Sequence, residues 1–317
     1  MDPSMNDFTF FESASFTQDF LKEQYQLIEK EDVASSKSYM NSYRFMYHIQ
    51  HGQLYYTQAK QAPVAIKPML LFYGVSQLLK ACILKYDPDY PAKSSVLSHG
   101  VSTRKRKKQG YSFLADEVKV QQDGLFPHLM QNMFHMKPNQ YSDKYSMALL
   151  FKQLPPMQNA FVHLLSEQPY YYGTLHENQT LTFPSSVLDA YHMTAERFKD
   201  YLISYGYNHS LNISEQRETI VLHPIDVLKE RNISPLLFVN ENTYALHSAK
   251  TDYMKLPTLM VYYLVLYNLS MICRYETEWW GERLHTLDCD EMPFIKNFLD
   301  LVEKDSQHVV LTKLLQR

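Results

Sequence analysis

The sequence predicts a mainly helical α+β protein, with a helical core drawn from both chain ends and a mixed α/β segment inserted between them. Three observations carry that expectation. Residues 17–86 show helical apolar spacing with helix-start signals. The middle of the chain breaks into short β-branched and aromatic runs separated by turn residues. Residues 257–317 return to helical spacing. A length of 317 residues suits one large domain or two ordinary ones. The expected division is 1–110, an N-terminal helical part; 111–250, the mixed segment; and 251–317, C-terminal helices packing on the first part. That is one composite domain with an insert.

The elements follow in order. Thr17 is expected to cap FLKEQYQLIEKE, and Ser35 or Ser36 to cap a second helix running to about Thr57. Pro68 stands where the first turn of a helix accepts proline, and MLLFYGVSQLLKACILKY follows. That third helix is apolar nearly all round, which sets it at the centre of a bundle. Its Gly74, Ser76 and Ala81 let neighbours approach. Asp87–Gly110 is turn-rich. EVKVQ at 117–121 alternates and ends on the Asp123–Gly124 turn signal. ETIVLHP (218–224) and PLLFVNENTYALHS (235–248) are β-rich, with helical segments expected around 142–167 and 194–205. Leu256–Cys273 approaches the length of a bilayer span. It carries Pro257, Asn268, Ser270 and three tyrosines, so it is expected to be a buried core helix, with no membrane role. TEWWGERLH and MPFIKNFLDLVEKD read as two further helices.

Composition excludes several functions. The chain has 8 glycines, no two closer than ten residues. GxGxxG, the Walker A loop and the kinase glycine loop need glycines two to five apart so that the backbone can approach phosphate. The common glycine-loop nucleotide enzymes are therefore out. GxSxG and HExxH are both missing. The three cysteines form no CxxC, and neither a metal site nor a cofactor is expected. The N-terminus is acidic with no basic region ahead of an apolar one, so a cytoplasmic location is expected. A net charge of −3 does not advertise a nucleic-acid binder, so any such role must come from a local patch.

Three constellations stand out. The first is the basic loop His99–Lys108, with Ser102 and Thr103 followed by five consecutive cations, Arg104, Lys105, Arg106, Lys107 and Lys108. Hydroxyls, turn amides and cations together can hold phosphate oxygens, and Tyr111 and Phe113 just beyond could stack a base. The plain alternative is a solvated loop, or one paired with the protein's own acids. The second is the stripe Arg44, His48, His51 and Tyr55, within about 60° of one another around a helix. A cation beside two imidazoles could do acid–base work on a phosphodiester. Arg44 and His51 bracket six residues and resemble the R-x(4–6)-H motif of HEPN ribonucleases, although Phe45 stands where that motif usually carries a polar residue. The plain alternative is a polar helix face bonded to its neighbours. The third is Trp279–Trp280 in an acidic stretch. Adjacent helical residues point about 100° apart. One ring is therefore expected to pack inside and the other to be a protein-interface anchor; the acids could equally serve the basic loop.

KPMLLFYGVSQLLKACIL, VLSHGVSTRKRKKQGYSFLADEVKVQQDGLF and LPTLMVYYLVLYNLSMICRYETEWW together resemble the YaaC-like proteins of Bacillus and related Firmicutes, over nearly the whole chain. HGVSTRKRKK is the most specific part of that resemblance. It implies a cytoplasmic protein and brings no catalytic residues with it. A gene commonly beside that of IMP dehydrogenase implies a link to guanine-nucleotide metabolism. The function expected is non-catalytic recognition of an anionic ligand, a nucleotide or RNA, by the loop 99–108. Two alternatives are a HEPN-like endoribonuclease using Arg44 and His51, and a partner of a purine-nucleotide enzyme such as IMP dehydrogenase.

Overall fold

The computed structural model describes residues 4–104, 111–225, 234–286 and 290–316. Two small antiparallel sheets stand among a majority of helices, the α+β class that the sequence predicts. The chain divides into two compact units, Met1–Ser146 with Tyr262–Arg317, and Met147–Val261.

The first unit opens with α1 (Ala14–Tyr25). Ser13, not Thr17, caps it, accepting from the Phe16 amide at 3.3 Å. Thr17 lies one turn inside, buried, with its hydroxyl on the Phe11 carbonyl. α2 (Glu31–Gln61) starts earlier than either Ser35 or Ser36. No side chain caps it, and its first turn carries Glu31 and Asp32, whose charge favours a helix N-terminus. It ends two residues before Pro63. α3 (Lys67–Tyr86) has Pro68 in its first turn. It is buried along most of its length, as its all-round apolarity requires. A methyl added at Gly74 would stand 3.0 Å from the Tyr56 ring, which explains the small residue where α2 and α3 cross.

β1 (Val101–Thr103) and β2 (Glu117–Val120) pair antiparallel, with Ser102 opposite Lys119. α4 (Leu125–Asn132) follows, then β3 (Lys144–Ser146), which pairs with β2. Gly124 (φ 128°) and Gly100 (φ 73°) meet at the foot of this sheet. A Cβ on Gly124 would lie 2.2 Å from the Gly100 Cα, so neither position accepts a side chain. Residues 111–146 thus group with the helical unit, although their pattern sets them in the mixed segment.

The second unit contains α5 (Met147–Phe151), α6 (Gln158–Leu165), β4 (Tyr170–His176), β5 (Thr180–Pro184), α7 (Ser186–Tyr191), α8 (Ala195–Ser204), β6 (Asn212–Glu215), β7 (Thr219–His223), β8 (Leu237–Asn240) and β9 (Thr243–His247). Its sheet runs β6-β7-β5-β4-β9-β8, antiparallel throughout. Phe183, Leu222 and Leu246 from the sheet pack with Val187, Phe198 and Leu202 from α7 and α8. The expected helix over 142–167 is instead β3, α5 and α6 in succession, because Pro155 and Pro156 interrupt it.

α9 (Thr258–Tyr275) starts in the second unit and continues in the first; it is the buried helix expected from 256–273. α10 (Thr277–Thr286) and α11 (Glu291–Leu315) complete the first unit. α11 docks on α3 and α2: Tyr56 hydrogen-bonds Ser306, and Lys67 pairs with Glu303 at 2.8 Å. Among the described residues, α3 is the one helix long and apolar enough to cross a bilayer, and 67% of its apolar window is buried inside the protein.

Candidate anion-binding site

The basic run grows out of the end of β1. Lys105, Arg106, Lys107 and Lys108 lie outside the described residues; His99, Ser102, Thr103 and Arg104 lie within them. Arg104 is exposed. The Ser102 hydroxyl accepts from Gln121 Nε2 at 2.7 Å. The Thr103 hydroxyl faces Asn268 Oδ1 and the Glu117 carbonyl, both at 3.3 Å. Its one hydrogen therefore serves the fold.

Beyond the run, the Tyr111 hydroxyl donates to Asp116 Oδ2 at 2.7 Å, and Asn268 Nδ2 donates to the same oxygen at 2.9 Å. Thr103 and Tyr111 are thereby clamped through the pair Asn268–Asp116, both buried. Burial first, then the neighbouring carboxylates of Asp116, Glu291 and Glu276, push the Tyr111 phenol far above its ordinary range, so it stays a neutral donor. The Ser112 hydroxyl donates to Glu291 Oε1 at 2.6 Å, which fixes the far side of the clamp on α11.

The second constellation is a half-exposed cationic face. On α2, Arg44 Nη1 donates to the Tyr90 carbonyl at 2.8 Å, and His48 Nδ1 meets Gln77 Oε1 of α3 at 2.6 Å. With the amide oxygen as acceptor, Nδ1 carries the proton and Nε2 keeps its lone pair. Tyr55 stacks on Tyr73 (5.6 Å between centroids). Arg274 of α9 donates to the Tyr73 hydroxyl at 3.0 Å and lies over the Tyr275 ring. The His99 ring packs against Phe72 (5.0 Å) and Tyr267 (5.6 Å).

Lys80 of α3 links these groups electrostatically. Burial first, then the charges of Lys80, Arg44 and His51, hold His48 below the ordinary imidazole range. Burial first, then Lys80 and Arg274, do the same to His99. Lys80 is itself pushed down by burial. The imidazoles of two constellations that are far apart in the sequence therefore feel one cation. Arg44, Lys80 and Arg274 form no ion pair with any carboxylate among the described residues. Cations without an ion-pair partner, beside imidazoles held below their ordinary range, can hold phosphate oxygens and leave a ring nitrogen free to relay a proton. No cluster of three or more His, Cys, Asp or Glu suited to a metal ion occurs among the described residues.

A family model described as YaaC-like Protein matches residues 9–314. The chain belongs to the YaaC-like family. No curated protein and no solved structure matches it.

In this YaaC-like chain the two tryptophans part as their 100° separation requires. Trp280 is buried, and its indole N–H donates to the Ala65 carbonyl between α2 and α3 at 2.9 Å. Trp279 is half-buried, with Tyr111 edge-on at 4.9 Å and the Arg283 guanidinium over its ring at 5.5 Å. Sequence reasoning did not single out Lys80, Gln77, Asp116 or Asn268 as site residues. For two of them a polar residue within an apolar run was visible, Lys80 in α3 and Asn268 in α9, but neither run shows what that residue meets.

Proposed function

We propose that the protein binds a phosphate-bearing ligand, a nucleotide or RNA, as a cytoplasmic binding or regulatory protein rather than an enzyme. The observation that carries this reading is the set Arg44, Lys80 and Arg274, half-exposed or exposed cations with no carboxylate partner among the described residues, gathered with His48 and His99. A partly desolvated cation left unpaired is a cost to the fold. A bound anion offsets that cost, and Lys80, destabilised by burial, gains most. The sequence adds five cations of the same sign of charge at 104–108.

Titration calorimetry with pyrophosphate, guanosine monophosphate and a short single-stranded RNA tests the reading. Each charge-assisted bond is worth about 1.5–3 kcal/mol. Lys80→Ala and Arg274→Ala should therefore each weaken binding by roughly 10–100-fold. Affinity should also fall with salt as counterions are released. Unchanged affinity in both variants, or no binding of any of the three probes, ends the proposal. IMP dehydrogenase added as a fourth titrant tests the protein-partner alternative.

A further inference from the structure

We infer that the phosphate-bearing ligand is a single-stranded nucleic acid, with its phosphates on Arg44, Lys80 and Arg274 and its bases on exposed tyrosines of α2 and α9. This rests on the anion-binding reading and narrows it to one class of ligand, an unpaired strand rather than a mononucleotide or a duplex. The charge of the face is one-sided. From Val33 to Tyr86, which covers α3 and all of α2 beyond Asp32, the chain carries no Asp or Glu, although it has 34 of them in 317 residues. α9 carries none either. Lys37 and Lys67 reach carboxylates on other segments. Arg44, Lys80 and Arg274 reach none among the described residues. Helices built this way are complementary to a polyanion.

Aromatic rings are interleaved with these cations. Tyr43 and Tyr47 are 53% and 55% exposed, with centroids 6.3 Å apart. Around α2, Tyr47 stands about 40° from His51 and about 60° from Arg44, so the rings adjoin the cationic stripe. One turn beyond His51, Tyr55 begins a chain of contacts towards α9. Tyr55 stacks on Tyr73, and the Arg274 guanidinium lies 5.7 Å from the Tyr73 centroid and 5.2 Å from that of Tyr275. Tyr275 is 64% exposed. Rings and cations sharing one face suit a single strand, because any base stacks on a ring while the backbone between bases meets a cation. The spacing agrees. Tyr43 and Tyr47 are about 6 Å apart along the helix. A duplex strand advances only about 3.4 Å per nucleotide. The step therefore fits an extended strand with splayed bases, whereas a duplex keeps its base faces stacked on one another. Acids close the track at both ends: Glu29 and Asp89 hold Lys37, and Glu276 and Glu278 follow Tyr275.

Fluorescence anisotropy tests this on the full chain. The probe is a labelled oligouridylate of about ten nucleotides, within the usual site size for single strands. Guanosine monophosphate, pyrophosphate and an unlabelled RNA duplex of the same length serve as competitors. The strand should bind, and the duplex and guanosine monophosphate should compete far more weakly than unlabelled strand. Three phosphate contacts on a single strand give a slope of about −2 for log affinity against log salt. Tyr43→Leu and Tyr47→Leu keep an apolar side chain but lose the ring. Each should weaken the strand roughly 5–100-fold, the usual share of one stacked base. Because both rings are exposed, the melting temperature should not move. Tyr47→Phe, which keeps the ring, should restore the affinity. A duplex or guanosine monophosphate that competes as well as the strand overturns the inference and leaves the anion-binding reading standing. So does wild-type affinity for the strand in both leucine variants. Failure of the strand, guanosine monophosphate and pyrophosphate alike removes both readings.

Discussion

Asn268 and Asp116 meet at 2.9 Å, and that single contact joins the two ends of the basic run. Thr103 reaches it through Asn268 Oδ1, and Tyr111 reaches it through Asp116 Oδ2. Fixed positions for Thr103 and Tyr111, on either side of the run, reduce the ordering that a ligand bound there would cost.

Asp116→Leu should therefore do more than remove a charge. It leaves the Asn268 amide and the Tyr111 hydroxyl short of an acceptor in a buried place. The cost should be about 2–3 kcal/mol in urea unfolding. Trypsin should also cut the basic run faster. Asp116→Leu/Asn268→Leu should be less destabilised than the sum of the two single changes, since neither partner is left alone. Strict additivity would mean that the pair does not act as a clamp.

His247 gives the second unit an acid limit. Burial pushes its imidazole down to about 4, from an ordinary value near 6.5. Its Nε2 meets the Lys152 carbonyl at 2.7 Å, and Nδ1 is buried without a partner among the described residues. The folded value is the lower one, so below about pH 6.5 the unfolded chain takes up a proton that the folded chain refuses. This contribution is intact above pH 6.5, shrinks as pH falls, and is spent near pH 4. It amounts to about 3 kcal/mol across that window. His247→Phe should flatten the melting-temperature profile between pH 4 and 6.5. An equally steep profile in that variant would assign the acid sensitivity elsewhere.

The helices were legible where apolar spacing repeats over several turns, as in α3, α9 and α11. The start of α2 was not, because an acidic first turn does the work expected of a serine cap. β4 escaped because Tyr170, Tyr171 and Tyr172 follow one another and set aromatic rings on both faces, which erases the alternation that marks a strand. β1 was hidden inside a stretch read for its charge. Arg44, His48 and His51 could be grouped in advance, since one helix sets their angles. Their neighbours could not: Gln77, Lys80 and Arg274 come from α3 and α9, and no local pattern announces a meeting of three helices. The Asp116–Asn268 clamp spans 152 residues of sequence, beyond the reach of any spacing rule.

The tryptophans should behave as two separate probes. Trp280→Ala should cost about 3–5 kcal/mol, the usual loss for a buried aromatic. Trp280→Phe should cost less, about 1–2 kcal/mol, mostly through the Ala65 carbonyl left without its donor. In fluorescence, Trp279→Phe should leave a blue-shifted, acrylamide-protected emission from Trp280. Trp280→Phe should leave a redder, quenchable emission from Trp279. Equal protection in both variants would show that the Tyr111 and Arg283 contacts seal Trp279 as completely as the core seals Trp280.

His48 and His51 are one turn apart on α2, yet they should respond in opposite ways. His48 is half-buried and shares a hydrogen bond with Gln77, so His48→Ala should cost about 1–3 kcal/mol through the unpaired amide. His51 is exposed and makes no hydrogen bond among the described residues, so His51→Ala should stay within about 0.5 kcal/mol of wild type. The same pair separates binding from catalysis. If the protein binds without cutting, wild type leaves a single-stranded RNA intact over hours, and His51→Ala changes only affinity. General acid–base catalysis contributes roughly 10²–10⁴-fold. An RNA cleavage that wild type performs, and that His51→Ala slows by such a factor with its melting temperature unchanged, would replace the binding reading with a ribonuclease built on Arg44 and His51.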